Sequence, residues 1–275
     1  MKIARVFPRR TKATPIDDLA FVGQPPLLFP PEVDEVHVSV TFTWDIPLAE
    51  KLAYQWEKIA PVKIGGPAFG EMSGEFIPGR YLKHGYTITS RGCPNRCWFC
   101  SVWKREPKLI ELPIKDGWNV LDDNILACYE SHIRSVFAML KRQPQKAQFT
   151  GGLEAKILKD WHVDLLYDLK PHRIFLAYDT PDDFEPLVEA GKKLFAANFL
   201  SKASNNIRCY CLIGFPNDTL SSAEKRLKDV LRLGIFPMAM VWRNQRGERS
   251  AEWIKFAWPW SRPACINTFK KSLRG

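Results

Sequence analysis

From about residue 86 onward, short apolar runs alternate with longer segments in which apolar residues recur every three or four positions. The short runs are typical of buried strands, and the longer segments are typical of amphipathic helices. This alternation predicts an α/β fold built on a parallel sheet. The predicted strands cover residues 86–89, 118–121, 147–150, 173–178, 207–215 and 235–242.

Helical patterns fill the gaps between these strands. Residues 124–140 predict one helix, and Thr180-Pro181 predicts the start of another. Ser221 and Glu224 have the spacing of a capping box, and Gly234 stands where that helix should stop. The apolar residues expected to face the core are Leu126, Tyr129, Ile133, Val136, Phe137 and Leu140 in the first helix, Phe184, Leu187, Ala190 and Leu194 in the second, and Leu227, Val230 and Leu231 in the third.

Six strand–helix units joined by right-handed crossovers curl into a parallel sheet. Six units are too few to close the usual eight-stranded barrel, so the sequence predicts an open, partial (β/α)6 barrel. In such folds, ligands gather at the carboxyl ends of the strands. The residues that follow each predicted strand are therefore the candidate ligand contacts.

A smaller pattern precedes this series. Residues 33–42 alternate like a strand, residues 48–59 place Leu48, Leu52, Trp56 and Ile59 on one helical face, and residues 62–64 form another short strand. This order predicts a small Rossmann-like α/β appendage. Residues 67–85 are rich in Gly and Pro and predict a linking loop. The expected division is 1–85, 86–245 and 246–275.

The chain shows no apolar stretch long enough to span a bilayer, and its charged amino terminus lacks the pattern of a secretory signal. We therefore expect a cytoplasmic protein without a membrane partner. Its formal net charge is +10, and residues 242–275 alone carry eight Lys/Arg and two Asp/Glu. Such a surface is compatible with nucleic acid as a partner, but a solvated, solubilising surface explains it more simply.

The basic carboxyl-terminal segment also contains Trp242, Trp253, Trp258 and Trp260. Aromatic and cationic groups together can stack on and neutralise nucleic acid. The pattern of residues 253–258 fits equally well a helix that docks across the open barrel. We favour this docking role over nucleic-acid binding.

Seven cysteines are present, and three of them lie within eight residues as C-x3-C-x2-C: Cys93, Cys97 and Cys100. An odd number of unevenly spaced cysteines argues against a disulfide framework. Three thiolates on one short loop can hold three irons of a [4Fe–4S] cluster and leave the fourth iron open to an external ligand. The alternative is a structural zinc site, which needs four ligands, commonly in paired C-x2-C knuckles.

This cysteine loop resembles that of the radical S-adenosylmethionine (SAM) enzymes, whose signature is C-x3-C-x-aromatic-C, with Phe99 in the aromatic place. The resemblance covers roughly residues 86–245. It implies a partial radical SAM barrel, a [4Fe–4S] cluster, SAM as a second cofactor, oxygen sensitivity, and an external one-electron donor such as flavodoxin or ferredoxin. Residues 1–85 resemble a truncated form of the domain that precedes the barrel in cobalamin-binding radical SAM enzymes and methylthiotransferases, although the cobalamin-ligating D-x-H-x-x-G is missing.

The resemblance also suggests where SAM binds. Asp123 and Asn124 match a D-D-N pattern after the second strand, while Gly151, Gly152 and Glu154 match a G-G-E-like pattern after the third; either could hold the SAM amine. Asp179 is the candidate contact for the ribose or substrate, and Ile213 with Gly214 for the adenine. The simpler interpretations are helix caps and turns.

The alternatives left open are a cobalamin-dependent or sulfur-inserting transferase acting on nucleic acid or protein, and a non-catalytic, metal-stabilised binding protein. Cys209, Cys211 and Cys265 could contribute to a second cluster, but thiols so scattered are more often buried small apolar groups. No catalytic side chain, substrate or oligomeric state follows from the sequence.

Overall fold

A computed structural model describes residues 1–70, 75–197 and 206–272 of the chain. These form two compact units, one of residues 1–117 with 245–247 and the other of residues 118–244 with 248–275. The three-part division expected from the sequence stays a prediction. None of the described helices is long and apolar enough to cross a membrane.

The first unit contains a four-stranded parallel sheet in the order β2-β1-β3-β4, with helix α1 packed on one face. Its core joins Val36 and Val38 of the sheet to Leu52 and Trp56 of the helix. The elements are β1 (Ile3–Phe7), β2 (Ala20–Val22), β3 (Glu35–Ser39), α1 (Ile46–Trp56) and β4 (Val62–Gly65).

The strand–helix–strand prediction for this unit is confirmed, but it was incomplete. Strands β1 and β2 were not predicted, because their short apolar runs lie among charged and proline residues. Helix α1 begins at Ile46 and buries Ala49, Leu52 and Trp56, so Leu48 lies at the edge of that face and is 42% exposed. The prediction of Leu48 as a core residue was wrong; Leu52 and Trp56 are buried as expected.

The rest of the first unit carries short elements around the cysteines. Strand β5 (Tyr86–Thr87) is followed by an antiparallel ribbon of β6 (Ser90–Arg91) and β7 (Ile110–Glu111). Helix α2 (Val102–Arg105) lies between the two ribbon strands in the chain. The ribbon therefore closes the base of the loop that holds Cys93, Cys97 and Cys100. The predicted linking loop at 67–85 lies partly outside the described residues.

The second unit contains five parallel strands in the order β12-β11-β10-β9-β8. Each of the predicted strand ranges contains a strand, which confirms the strand–helix alternation. The elements are β8 (Asn119–Val120), α3 (Glu130–Lys141), β9 (Gln148–Phe149), α4 (Asp160–Leu169), β10 (Arg173–Ala177), α5 (Phe184–Ala196), β11 (Ile207–Ile213), α6 (Leu220–Arg232), β12 (Phe236–Val241), α7 (Ala251–Trp260) and α8 (Pro263–Ser272).

Two helix starts in this unit differ from the prediction. Residues 125–127 form a single 3-10 turn, and α3 begins only at Glu130 because Cys128 and Tyr129 have extended backbones. Tyr129 is therefore 80% exposed, so its prediction as a core residue was wrong. Helix α6 is capped by Thr219, whose side chain accepts a hydrogen bond from the Ser222 amide, rather than by the predicted capping box.

Candidate functional site

The three cysteines of the C-x3-C-x2-C loop are all at least partly accessible, as is Cys265 on α8. Cys97 is exposed, and Cys93 and Cys100 are half-buried. Cys209 and Cys211, in contrast, are fully buried. All seven cysteines are thiols rather than disulfides. The loop therefore offers three thiols within reach of an incoming ligand.

Local hydrogen bonds give the cysteine loop a defined backbone. The Cys100 amide donates to the Cys97 carbonyl at 3.0 Å, and the Trp103 indole donates to the same carbonyl at 2.9 Å. The Val102 amide donates to the Cys100 sulfur at 3.5 Å. Gly92 enters the loop with φ +83°, and a Cβ there would lie 2.0 Å from the Lys108 carbonyl oxygen. Only glycine fits at this position.

The donor set of this loop fits a [4Fe–4S] cluster by its chemistry, because accessible thiols are the ligands that such clusters take. The thiols are not already arranged around a metal position. Within the described residues, no three His, Cys, Asp or Glu side chains are grouped closely enough to hold a metal ion. The described part of the chain likewise contains no such four-ligand group for the zinc alternative. Thiol sites commonly complete their geometry only when the metal binds.

In the second unit, the two motifs proposed for the SAM amine lie side by side. The Asn124 side-chain amide donates to a Glu154 carboxylate oxygen at 2.6 Å. Gly151 packs closely against the segment that follows β8: a Cβ at this glycine would lie 2.2 Å from the Asp122 carbonyl oxygen. Gly152 has φ +98°. The structure therefore brings together the two sequence patterns that competed for one role, and Asp123 lies half-exposed beside them.

Asp179 follows β10 and connects it to the neighbouring strand. Its Oδ1 accepts a hydrogen bond from the Leu212 amide at 2.8 Å. Thr180 instead caps the 3-10 turn that precedes α5, with Asp183 as its capping partner. The helix-cap interpretation of Asp179 is therefore wrong. Burial raises the pKa of Asp179 to about 6, against the lowering effect of the Leu212 amide.

This shift predicts that Asp179 lowers the free energy of unfolding by an amount that depends on pH. Its folded-state pKa lies above the ordinary value of 3.8, so the native state binds the proton more tightly and loses stability as pH rises from about 4 to 6. Each pKa unit corresponds to about 1.4 kcal/mol. We expect Asp179→Asn to gain stability over the parent chain, by up to about 3 kcal/mol, between pH 4 and pH 7. Chemical denaturation of both proteins at each pH measures this difference, and a constant difference would contradict it.

The tip of β11 is held by a buried ion pair that the sequence did not indicate. Arg226 of α6 contacts Asp218 at 2.8 Å, and the two side chains are 9% and 1% exposed. The same guanidinium donates to the Leu212 carbonyl at 3.0 Å, and the Asp218 carboxylate accepts from the Gly214 amide at 2.9 Å. The two residues are eight positions apart, and a loop separates them. Their spacing therefore does not match the three- or four-residue spacing of ion pairs within a helix, and no sequence pattern could have identified the pair.

The residues proposed for adenine contact lie next to α7. Ile213 is fully buried in a cluster with Ala223 of α6 and Ala257 of α7. Gly214 has φ +73°, and a Cβ there would meet the Trp253 ring at 2.6 Å. Helix α7 therefore packs on β11 and α6 within this unit, whereas its Trp258 is 52% exposed. Docking across an open barrel stays a prediction. The adenine role of Ile213 and Gly214 stays a prediction.

The remaining cysteines support the simpler interpretation. Cys209 and Cys211 are fully buried on the same face of β11 as Ile213. Burial raises the pKa of the Cys209 thiol well above its ordinary value, which disfavours the thiolate needed for iron binding. Both behave as small apolar side chains. Cys265 is half-buried on α8.

A solved structure with a similar fold is TsrM from Kitasatospora setae, a radical S-adenosylmethionine methyltransferase with cobalamin and a [4Fe–4S] cluster bound. The TM-score is 0.59 at 12% sequence identity, and the match covers 89% of this chain and 76% of that one. No protein-family model and no curated protein sequence matches the chain. At this identity the likeness establishes a mixed α/β fold with parallel sheets of the kind found in that enzyme.

Proposed function

We propose that the chain is a radical SAM enzyme that uses a [4Fe–4S] cluster to cleave SAM reductively. The observation that carries this proposal is the cysteine loop, in which Cys93, Cys97 and Cys100 are the accessible thiols of a C-x3-C-x2-C sequence. The fold likeness to a radical SAM methyltransferase supports the same assignment. The protein's substrate and the final reaction are left open by both observations.

The cysteine loop would hold the cluster through three thiolates. When bound, the cluster would supply an electron that breaks a carbon–sulfur bond of SAM and yields a 5′-deoxyadenosyl radical. The chain's own contribution is to orient and shield. The Val102 amide donates to the Cys100 sulfur, and N–H donors to ligand sulfurs are one of the levers that tune cluster potential. Phe99, whose ring meets that of Trp98 edge-on at 5.4 Å, would shield the loop.

The strand ends of the second unit would hold SAM. Glu154 would accept hydrogen bonds from the SAM amine, and Asn124 would position that carboxylate through their 2.6 Å contact. Asp123 is a second carboxylate beside this pair. Gly151 and Gly152 allow the backbone to approach the ligand closely. Asp179, already bonded to the Leu212 amide, keeps acceptor capacity for the ribose hydroxyls.

Replacing Glu154 by Gln should weaken SAM binding by about tenfold, because a charge-assisted hydrogen bond to the amine becomes a neutral one. The Asn124 contact can persist, since glutamine keeps one oxygen acceptor. Equilibrium binding of SAM to the reconstituted protein checks this expectation. Glu189→Gln on the exposed face of α5 is the matched control, and equal affinities in the two variants would remove Glu154 from the site.

The experiment that tests the proposed function is turnover after anaerobic reconstitution with iron and sulfide. With dithionite and SAM, the reconstituted full chain should release 5′-deoxyadenosine and methionine. If a reconstituted protein with full iron content releases neither, reductive cleavage is refuted. A flavodoxin or ferredoxin should replace dithionite as electron donor, and exposure to air should abolish the reaction.

A second candidate is cobalamin-dependent methyl transfer. The observation in its favour is that the similar fold spans 89% of this chain, including most of the first unit, in a protein whose structure contains cobalamin. The missing D-x-H-x-x-G motif weighs against ligation of cobalamin by a histidine. Binding of a corrinoid by the anaerobically purified chain, with S-adenosylhomocysteine as product, would favour this candidate over radical cleavage alone.

A further inference from the structure

The amino end of the second unit's sheet carries a cluster of cations that the proposed chemistry does not use. Arg173 begins β10, and Arg208 lies one residue into β11. The strands are parallel with Phe175 opposite Arg208, so both arginines lie on the same face, two positions apart in register. His172 and Lys146 lie close enough that the pKa of His172, lowered first by burial, is lowered further by Arg173, Lys146 and Arg208.

Arg173 is not neutralised within the described part of the chain. Its one polar side-chain contact is a hydrogen bond of 3.4 Å from Nη2 to the neighbouring His172 ring, which is itself a base. Its Nε is buried and has no hydrogen-bond partner. Lys146 likewise forms no ion pair among the described residues. A buried, unpartnered donor on a cation costs free energy unless a ligand satisfies it.

Arg208 contacts an aromatic ring and a thioether sulfur. Its guanidinium lies 5.2 Å from the centre of the Phe236 ring and 3.7 Å from the Met238 sulfur. Burial, followed by the charge of Arg173, lowers the pKa of Arg208. Next to it on the same face, Tyr210 stacks on Phe175 at 4.8 Å. Two arginines of like charge thus share a half-buried surface of low polarity, where an anion would interact more strongly than in open solvent.

The geometry points to an anion site at the amino ends of β10 and β11, in which Arg173, Arg208, His172 and Lys146 bind a phosphate group. Arginine is suited to this ligand because its planar fork can donate two parallel hydrogen bonds to phosphate oxygens. The phosphate could belong to a small phosphorylated molecule or to a polynucleotide, and the recognition chemistry is the same. This inference does not depend on SAM chemistry, because it uses none of the residues assigned to the cluster or to SAM.

The test uses the full chain without cluster and compares Arg173→Gln with Arg249→Gln. The two substitutions remove the same charge, but Arg249 lies on an exposed segment before α7. Binding is measured by calorimetry at fixed ionic strength with inorganic phosphate, with a short 5′-phosphorylated single-stranded RNA, and with the same RNA lacking that phosphate. We expect Arg173→Gln to weaken phosphate binding by about tenfold, as for the loss of one charge-assisted contact, and Arg249→Gln to leave it unchanged.

The RNA arms identify the source of the phosphate. If the parent chain binds the 5′-phosphorylated RNA more tightly than the other RNA, and Arg173→Gln abolishes that difference, the site binds a terminal phosphate. If the parent chain binds both RNAs similarly, and Arg173→Gln weakens binding of both, the site binds the polynucleotide backbone. Equal affinities of the two variants for every probe, or no binding by the parent chain, would overturn the inference.

Thermal unfolding separates binding from a structural role. In buffer without phosphate, Arg173→Gln should melt no lower than the parent chain, since the substitution relieves repulsion among like charges. A marked decrease would show that Arg173 serves the fold instead. Should that variant unfold, Lys146→Gln replaces it: Lys146 is exposed, and its loss should weaken phosphate binding about threefold, in line with a surface charge interaction.

Discussion

Replacing Cys97 by alanine is expected to abolish cluster binding and SAM cleavage while leaving the protein folded. Substitution of residues that merely support a metal ligand costs about 10–100-fold, so loss of a ligand should reduce activity by more than about a hundredfold. Iron and sulfide content after reconstitution, together with 5′-deoxyadenosine release, measure the effect. The thiol at position 97 is exposed, and its removal opens no cavity in a core.

The matched control is Cys265→Ala, because Cys265 lies on α8 outside the cysteine loop. It should reconstitute with as much iron as the parent chain. Global unfolding of the Cys97 variant would instead favour a metal whose role is to hold the fold together. Retention of iron and activity would exclude Cys97 from the cluster.

The largest effect on stability is expected from Arg226→Met. It would leave the Asp218 carboxylate buried, 1% exposed, without its cationic partner. Removing one member of a buried ion pair typically costs about 3–5 kcal/mol. For a chain of this size the melting temperature should fall by about 10 °C. Thermal and chemical unfolding of the purified variant check this value.

An exposed pair provides the comparison. Lys192 and Glu189 on α5 form an ion pair at 2.7 Å with both side chains more than half exposed. Lys192→Met should change the free energy of unfolding by less than about 1 kcal/mol. Pairing Arg226→Met with Asp218→Leu should recover part of the lost stability, because no unpaired charge then stays buried. A double variant as unstable as the single one would contradict this explanation.

The fold was largely predictable because its elements depend on local patterns. Each strand of the second unit is a short apolar run between turn residues, and α5 shows its buried stripe of Leu187, Ala190 and Leu194 directly in the sequence. The errors have local causes. Tyr129 fits the helical period, but the extended backbone at Cys128 and Tyr129 interrupts the helix before that period can continue.

The candidate site was predictable in part, for a different reason. The rule that ligands gather at strand ends identified the neighbourhoods of Asn124 and Glu154, but their 2.6 Å contact depends on how two loops pack. The Trp253 ring packs against Gly214, although the two residues are 39 positions apart in the chain. Such contacts are decided by long-range packing, which periodicity and motif spacing do not encode.

The account depends most on what Cys93, Cys97 and Cys100 bind. The most direct measurement is the electron paramagnetic resonance spectrum of the reconstituted, dithionite-reduced full chain, recorded with and without SAM. We predict the signal of a reduced [4Fe–4S] cluster, with about four irons per chain and a line shape that changes when SAM is added. One tightly bound zinc per chain, or an iron–sulfur signal that SAM leaves unchanged, would contradict the proposed chemistry.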